Sequence, residues 1–171
     1  MVSGRELFAR HGPQAQMDEI AAHAGVGIGT VYRHFPTKEA LLTAMVRDRF
    51  QRFAEIALAA EGIDDPFAAF ESVMRGSLEA VEDDSGFQLA MMGSNDLEWE
   101  GIEQEKEALA QVVSRVINRA VAAGVVREDL TVEDFPMLMC GITSTMYYQP
   151  GRADWRRHLE LVLAGLRREA R

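Results

Sequence analysis

The sequence of 171 residues contains one cysteine, Cys140, and no long apolar run. A single cysteine excludes an internal disulfide framework and a metal site built from cysteines alone. Apolar runs of only a few residues cannot span a bilayer. The first residues, 1–5, lack the apolar stretch of a secretory signal. A cytoplasmic location without a membrane partner is therefore expected.

Basic side chains are fewer than acidic ones, 18 against 27, and the net charge is −9. That balance taken alone argues against a nucleic-acid partner, but the charge is unevenly distributed. Residues 1–50 have six basic and five acidic side chains, a charge of +1, and residues 51–171 have the remaining −10. The two parts are therefore expected to have different tasks, and only the first is compatible with close approach to phosphate.

Strand signals are nearly absent, whereas apolar residues recur at helical spacing along the chain. Leu109, Val112 and Val116, for example, form one stripe of a 3.6-residue period. Thr37 and Asp65 are expected to cap helices with their side-chain oxygens. We predict an all-α fold of about nine helices, at residues 6–10, 18–24, 28–34, from 38 onward, 66–83, 87–92, 99–123, 131–147 and 153–168.

The most informative stretch is Ile-Ala-Ala-His-Ala-Gly-Val-Gly-Ile-Gly-Thr-Val-Tyr-Arg-His-Phe at residues 20–35. Its pattern predicts a helix-turn-helix, because Gly25 can enter left-handed backbone space in the turn without strain. Ile20, Val26 and Val31 are expected to close the elbow between the helices. The second helix would then expose hydroxyl, guanidinium and imidazole groups, which suit contacts with phosphates and base edges in a major groove.

Two other interpretations share part of this pattern. Gly25, Gly27 and Gly29 resemble a phosphate-cradling glycine loop, but such a loop follows a strand, and here an alanine-rich helix precedes it. The elbow is also compatible with a helical bundle that has no nucleic-acid partner, because helix-turn-helix geometry is not confined to DNA-binding proteins. Apolar spacing alone leaves that second alternative open.

The flanking residues narrow the choice. They are Leu-Phe-Ala-Arg-His-Gly at 7–12, Met-Asp-Glu-Ile-Ala at 17–21 and Thr-Val-Tyr-Arg-His-Phe-Pro-Thr-Lys-Glu-Ala-Leu-Leu at 30–42. Over about residues 5–47 the chain resembles the DNA-binding domain of the TetR family of one-component transcriptional regulators. The resemblance implies a three-helix DNA-binding domain at 1–47, its first helix shortened, and a helical ligand-binding and dimerisation domain at 48–171.

The same resemblance implies which residues meet DNA. Thr30, Tyr32 and Lys38 match phosphate contacts, and Arg33 and His34 match positions that touch bases or backbone. At the position of Gly27 the family commonly has Ser or Thr, and at the position of Ile28 it often has Lys or Arg. A glycine can cap a helix without a side-chain contact. An isoleucine can meet a thymine methyl group. Gln16 stands where a small hydroxyl residue usually begins the second helix. The predicted DNA-binding set is Gln16, Gly27, Ile28, Gly29, Thr30, Tyr32, Arg33, His34 and Lys38.

The later part of the chain resembles, more loosely, the SbtR-like branch of the family. Its methionines and aromatic residues suit an adaptable apolar pocket, although plain core packing is the favoured explanation for any single one of them. The predicted effector pocket comprises Phe70, Met74, Phe87, Met91, Met92, Trp99, Val113, Met137 and Cys140. An apolar stripe in the last two helices needs a partner, and the predicted dimer interface comprises Met146, Trp155, Leu159, Val162, Leu163 and Leu166.

No catalytic motif is present: the sequence lacks Gly-x-Ser-x-Gly, Gly-x-x-x-x-Gly-Lys and His-Glu-x-x-His. Cys140 is expected to be a small buried hydrophobe. We therefore expect no enzyme, no metal and no cofactor. Two functional hypotheses remain. The first is a ligand-responsive regulator, most simply a repressor, that binds a palindromic operator in double-stranded DNA as a homodimer and is released by a small apolar effector. The second is a helical small-molecule-binding or scaffold dimer with weak or lost DNA binding.

Overall fold

The computed structural model describes residues 15–83, 101–148 and 154–168. Within these ranges it has seven helices and no strand, so the prediction of an all-α fold is confirmed. The predicted helices at 6–10 and 87–92 lie outside the described residues. The seven helices are α1 (Met17–His23), α2 (Ile28–His34), α3 (Lys38–Glu61), α4 (Pro66–Asp83), α5 (Glu103–Ala122), α6 (Asp134–Tyr148) and α7 (Trp155–Leu166).

Side-chain caps set the starts of α3 and α4, as the sequence predicts. The hydroxyl of Thr37 accepts a hydrogen bond from the Ala40 N–H at 3.1 Å. Oδ1 of Asp65 accepts from the N–H groups of Phe67 and Ala68, each at 2.8 Å. N–H groups in the first turn of a helix have no partner within that helix, and the two caps supply acceptors for these three.

The start of α6 differs from the prediction by three residues. Asp134 Oδ2 accepts from the Thr131 N–H at 2.9 Å, which is half of the expected capping box. The N–H of Asp134 bonds the carbonyl of Thr131, however, and that of Phe135 bonds the carbonyl of Val132. These bonds span three residues and form a tight turn, so the α-helix proper begins only at Asp134.

The described residues divide into two compact units. The N-terminal unit holds residues 15–49, 83 and 101–104, and the C-terminal unit holds 50–82, 105–148 and 154–168. Residues 101–104 join the N-terminal unit although they lie far along the chain. One reason is a hydrogen bond from Arg47 Nη2 to the carbonyl of Gly101 at 2.6 Å. A linear division at residue 47 assigns these residues to the second domain instead.

Polar contacts fix helix ends within the C-terminal unit. Arg119, on α5, donates to the carbonyls of Glu61 at 2.9 Å and Ile63 at 2.8 Å, which satisfies acceptors left open where α3 ends. Arg115 pairs with the Glu61 carboxylate at 2.6 Å, and this hydrogen bond lowers the pKa of Glu61. The apolar core surrounding these contacts includes Ala57, Phe67, Phe70, Val73, Met74, Leu78, Val112, Val113, Val116, Ile117, Phe135, Ile142 and Leu159.

Candidate nucleic-acid interface

A glycine turn joins α1 to α2 in the N-terminal unit. Gly25 has a φ of +66°, the left-handed conformation that the sequence predicts for it. The Gly25 N–H donates to the carbonyl of Ala22 at 3.1 Å, and the Val26 N–H donates to that of Ala21 at 3.0 Å. This pair of bonds is a Schellman motif, which satisfies the last carbonyls of α1. The direction in which the chain enters α2 is therefore fixed by backbone geometry.

The two helices pack through a few apolar residues. Ile20 and Ala21 of α1 and Val31 of α2 are buried, in agreement with the sequence. The prediction that Val26 closes the elbow is wrong, because 43% of this residue is exposed. Its N–H group completes the turn while its side chain remains at the surface.

α2 is nearly all surface. Val31 is its one buried residue, and Ile28, Gly29, Thr30, Tyr32, Arg33 and His34 are exposed. Arg33 and His34 follow Thr30 by three and four positions, so each of them lies on the same side of the helix as Thr30. Lys38 is half-buried at the first position of α3. The structure thus brings one hydroxyl, one guanidinium and one imidazole together on a short helix that follows a fixed turn.

Gln16 occupies the N-cap of α1 and is exposed. Its backbone N–H donates to Oε2 of Glu19 at 3.1 Å, and Asp18 is also exposed in the first turn. Phosphate approaching Gln16 would therefore meet two carboxylates, whereas no acidic residue stands in the first turn of α2. Contact between Gln16 and DNA stays a prediction, with less electrostatic support than contact by Thr30 or Arg33.

The residues predicted for an effector pocket are divided in the structure. Phe70, Met74 and Val113 lie together in the core of the C-terminal unit, each at most 1% exposed. Met137 is 65% exposed on α6 and borders a surface cavity of about 350 Å³. Cys140 is exposed, so the prediction of a buried cysteine is wrong. The remaining pocket candidates, Phe87, Met91, Met92 and Trp99, lie outside the described residues.

The stripe predicted as a dimer interface packs within its own protomer. Trp155, Leu159, Leu163 and Leu166 are at most 8% exposed and belong to the core, and Met146 and Val162 pack against it. The large apolar side chain that α7 exposes is Leu161, at 56%. Leu161 was not singled out by the sequence analysis. The available signal was that this leucine directly precedes Val162 but does not follow the spacing of the stripe.

In the parts of the chain that the structure describes, no three side chains among His, Cys, Asp and Glu are grouped closely enough to hold a metal ion. None of the described helices combines the length and the apolar character that crossing a membrane requires.

A glycine turn between two short helices, the second of them largely exposed, is the geometry of a helix-turn-helix protein. Residues 1–45 match the family model "Bacterial regulatory proteins, tetR family". Residues 65–168, more than half of the chain, match "Transcriptional regulator SbtR-like, C-terminal domain". The chain therefore belongs to the TetR family of transcriptional regulators, and the resemblance drawn from the sequence is confirmed. This is a family of regulators and not of enzymes.

Three relatives illustrate the match. A TetR transcription regulatory protein from Mycobacterium vanbaalenii is 31% identical with a TM-score of 0.69, covering 98% of this chain and 92% of its own. The TetR regulator SCO0520 from Streptomyces coelicolor is 29% identical with a TM-score of 0.73, covering 99% and 97%. The transcriptional repressor KstR2 from Mycobacterium tuberculosis is 24% identical over 95% of this chain and 88% of its own.

Proposed function

We propose that this chain represses transcription by binding a palindromic operator as a homodimer, and that a small apolar effector releases it. The observation that carries the proposal is the exposure of Thr30, Tyr32, Arg33 and His34 on α2 behind the fixed Gly25 turn. Base edges and phosphates are met by such side chains when a second helix enters a major groove. Repression is inferred from the similarity to the transcriptional repressor KstR2, which extends along most of the chain.

The dimer is proposed through the outer face of α6 and α7, which pack on each other. Met137 of α6 and Leu161 of α7 are large apolar side chains more than half exposed in one protomer. Thr145 and His158 link the two helices through a hydrogen bond of 2.6 Å between Oγ1 and Nδ1. Pairing of this face in two copies gives a twofold dimer, which requires an operator of two inverted half-sites.

The effector is proposed to bind among the core residues Phe70, Met74 and Val113. All three belong to one apolar cluster of the C-terminal unit, so an effector that enters between them would meet apolar side chains. Methionine tolerates varied neighbours because its side chain is unbranched and polarizable.

DNA binding is tested by fluorescence anisotropy on duplexes that the full chain selects from a randomised library. Replacing Lys38 with Ala should weaken binding to all sequences and reduce the slope of log affinity against log salt by about 1, between about 50 mM and about 200 mM salt. Lys106, exposed on α5, gives the matched control, and Lys106→Ala should leave the slope unchanged. Arg33→Ala should in addition alter which duplexes are selected if the guanidinium reads a base.

One result would contradict the proposal, and another would contradict only the role of Lys38. If no duplex is enriched and binding does not weaken with salt, the result favours the second hypothesis, a helical small-molecule-binding or scaffold dimer. If binding is specific but Lys38→Ala and Lys106→Ala behave alike, the assignment of Lys38 to a phosphate contact fails while repression by DNA binding stands.

The dimer face is tested by sedimentation of two charge variants. Leu161→Glu should shift the chain from dimer to monomer, because an unpaired carboxylate would be buried on pairing. Leu58 on α3 is exposed to a similar degree, 51%, and Leu58→Glu should remain dimeric. A dimeric Leu161→Glu variant would show that the protomers pair through another surface.

A further inference from the structure

Two large apolar side chains are exposed at the start of the helix proposed to enter DNA. Val26 is 43% exposed and Ile28 is 40% exposed. They lie on either side of Gly27, in the turn and in the first position of α2. Apolar side chains exposed side by side can form a contact surface. The polar side chains of α2 begin only at Thr30, so these two residues do not share the chemistry of the rest of the helix.

The glycines around them leave the apolar groups accessible. A Cβ atom placed on Gly27 or on Gly29 would have no atom within 4 Å, so the space beside both residues is open. Residues 26–29 therefore present no side-chain hydrogen-bond donor or acceptor. A partner that approaches this segment meets the branched aliphatic side chains of Val26 and Ile28. Open space lies between them at Gly27 and after them at Gly29.

Only one group in the major groove matches this surface. Each base pair shows donors and acceptors there, and the single apolar feature is the C5-methyl group of thymine. We propose that Val26 and Ile28 recognise thymine methyl groups, so that each operator half-site carries thymine opposite this segment. This inference rests on the proposed function. It assigns hydrogen bonding to Thr30 and Arg33, and methyl recognition to the segment before them.

The occupant is chosen by continuity with the DNA-binding helix. Val26 and Ile28 adjoin Thr30, Tyr32 and Arg33 along one chain segment, and this segment belongs to the part of the chain that matches the family's DNA-binding model. A protein partner seated on the same groups would compete with DNA for α2.

Replacement of thymine with deoxyuridine tests the proposal, because it removes the methyl group and leaves every hydrogen-bonding group of the base in place. Duplexes selected by the full chain are synthesised with deoxyuridine at one thymine position of each half-site in turn. We expect one or two positions at which affinity falls about fourfold per lost methyl contact. Ile28→Ala should abolish the difference between thymine and deoxyuridine at one of them, and Val26→Ala at the same or the adjoining position.

The matched control is Leu58→Ala, which removes an exposed aliphatic side chain elsewhere and should keep full sensitivity to deoxyuridine. Circular dichroism melting confirms that the alanine variants are folded, as expected for substitutions at exposed sites.

Three outcomes overturn the inference, and they separate its failure from that of the proposed function. Equal affinity for thymine and deoxyuridine at every position rejects methyl recognition, while specific binding itself still supports the regulator. Persistent sensitivity in both Val26→Ala and Ile28→Ala rejects these residues as the readers. If no duplex is selected, the proposed function fails and the inference fails with it.

Discussion

Helices α2 and α4 show two opposite ways in which the same chain uses a helix. α2 buries one of its seven residues, Val31, whereas α4 buries nine of eighteen. The carboxylate of Asp65 caps the start of α4, whereas Gly27, the N-cap residue of α2, makes no side-chain cap bond. Packing in the core thus constrains half of the residues of α4, whereas it constrains only Val31 in α2.

The comparison predicts that stability and DNA binding respond to different halves of the molecule. Core residues contribute free energy of unfolding through burial and close packing. Exposed residues of α2 contribute little to that free energy and are available for contacts. Substitutions in the two helices should therefore separate the two measurements.

The largest separation is expected between Phe70 and Tyr32. Phe70→Ala empties a site that is 1% exposed and should lower the free energy of unfolding by about 3–5 kcal/mol in urea titrations. Tyr32 is 49% exposed, and Tyr32→Ala should change the free energy of unfolding by no more than about 0.5 kcal/mol while weakening DNA binding. A large loss of stability in Tyr32→Ala would mean that α2 is held by packing after all.

Two glycine turns allow a closer comparison of the units. Gly25 and Gly124 have φ values of +66° and +68°, and a Cβ on either would meet nothing within 4 Å. Replacement with Ala should therefore cost each unit about 1–2 kcal/mol through backbone strain alone. Gly25→Ala should also weaken operator binding, because it changes how the chain enters α2, whereas Gly124→Ala should alter unfolding only. Equal effects on operator binding would contradict this division.

Turns and caps were predictable from the sequence because they depend on neighbours in the chain. Gly25, Thr37 and Asp65 act through backbone groups within four residues of themselves. Their chemistry therefore does not depend on the rest of the fold. The exposure of most of α2 was also predictable, because a helix of seven residues with few large apolar side chains can bury only one face.

Burial in α6 was not predictable in the same way. The helix is apolar on several sides, with Met137, Leu138, Met139 and Cys140 in succession. Periodicity shows which residues share a face, but tertiary packing decides which face is covered. The structure covers the face of Met139 and leaves Met137 and Cys140 outside.

Trp155 and its neighbours on α7 illustrate the same limit. Their spacing correctly identifies one apolar stripe, and the assignment of that stripe to a second copy assumed that its own protomer had nothing to cover it. In the structure the protomer covers it: Trp155 is buried among core residues, and its indole N–H donates to Glu82 of α4 at 2.9 Å. Helical periodicity relates residues within one helix, so it cannot indicate a contact between residues 73 positions apart.

The smallest predicted effect concerns that link between α4 and α7. Hydrogen bonds from Arg156, at 2.7 Å and 3.0 Å, and from Trp155 lower the pKa of Glu82. The carboxylate therefore contributes stability at neutral pH that is lost as the pH falls through this lowered pKa. From about pH 7 to about pH 3, the wild type should lose more free energy of unfolding than Glu82→Gln, by less than about 1 kcal/mol because the pair is partly exposed.

The matched control for this prediction is Glu133→Gln, which removes an exposed carboxylate outside the pair and should follow the wild-type pH dependence. Operator affinity at neutral pH should be the same in both variants, because Glu82 acts within the C-terminal unit. If Glu82→Gln has the pH dependence of the wild type, the carboxylate does not stabilise the join between α4 and α7. If Glu82→Gln also weakens operator binding, this one substitution changes stability and DNA binding together. That would contradict the expectation, drawn from α2 and α4, that the two properties respond to different residues.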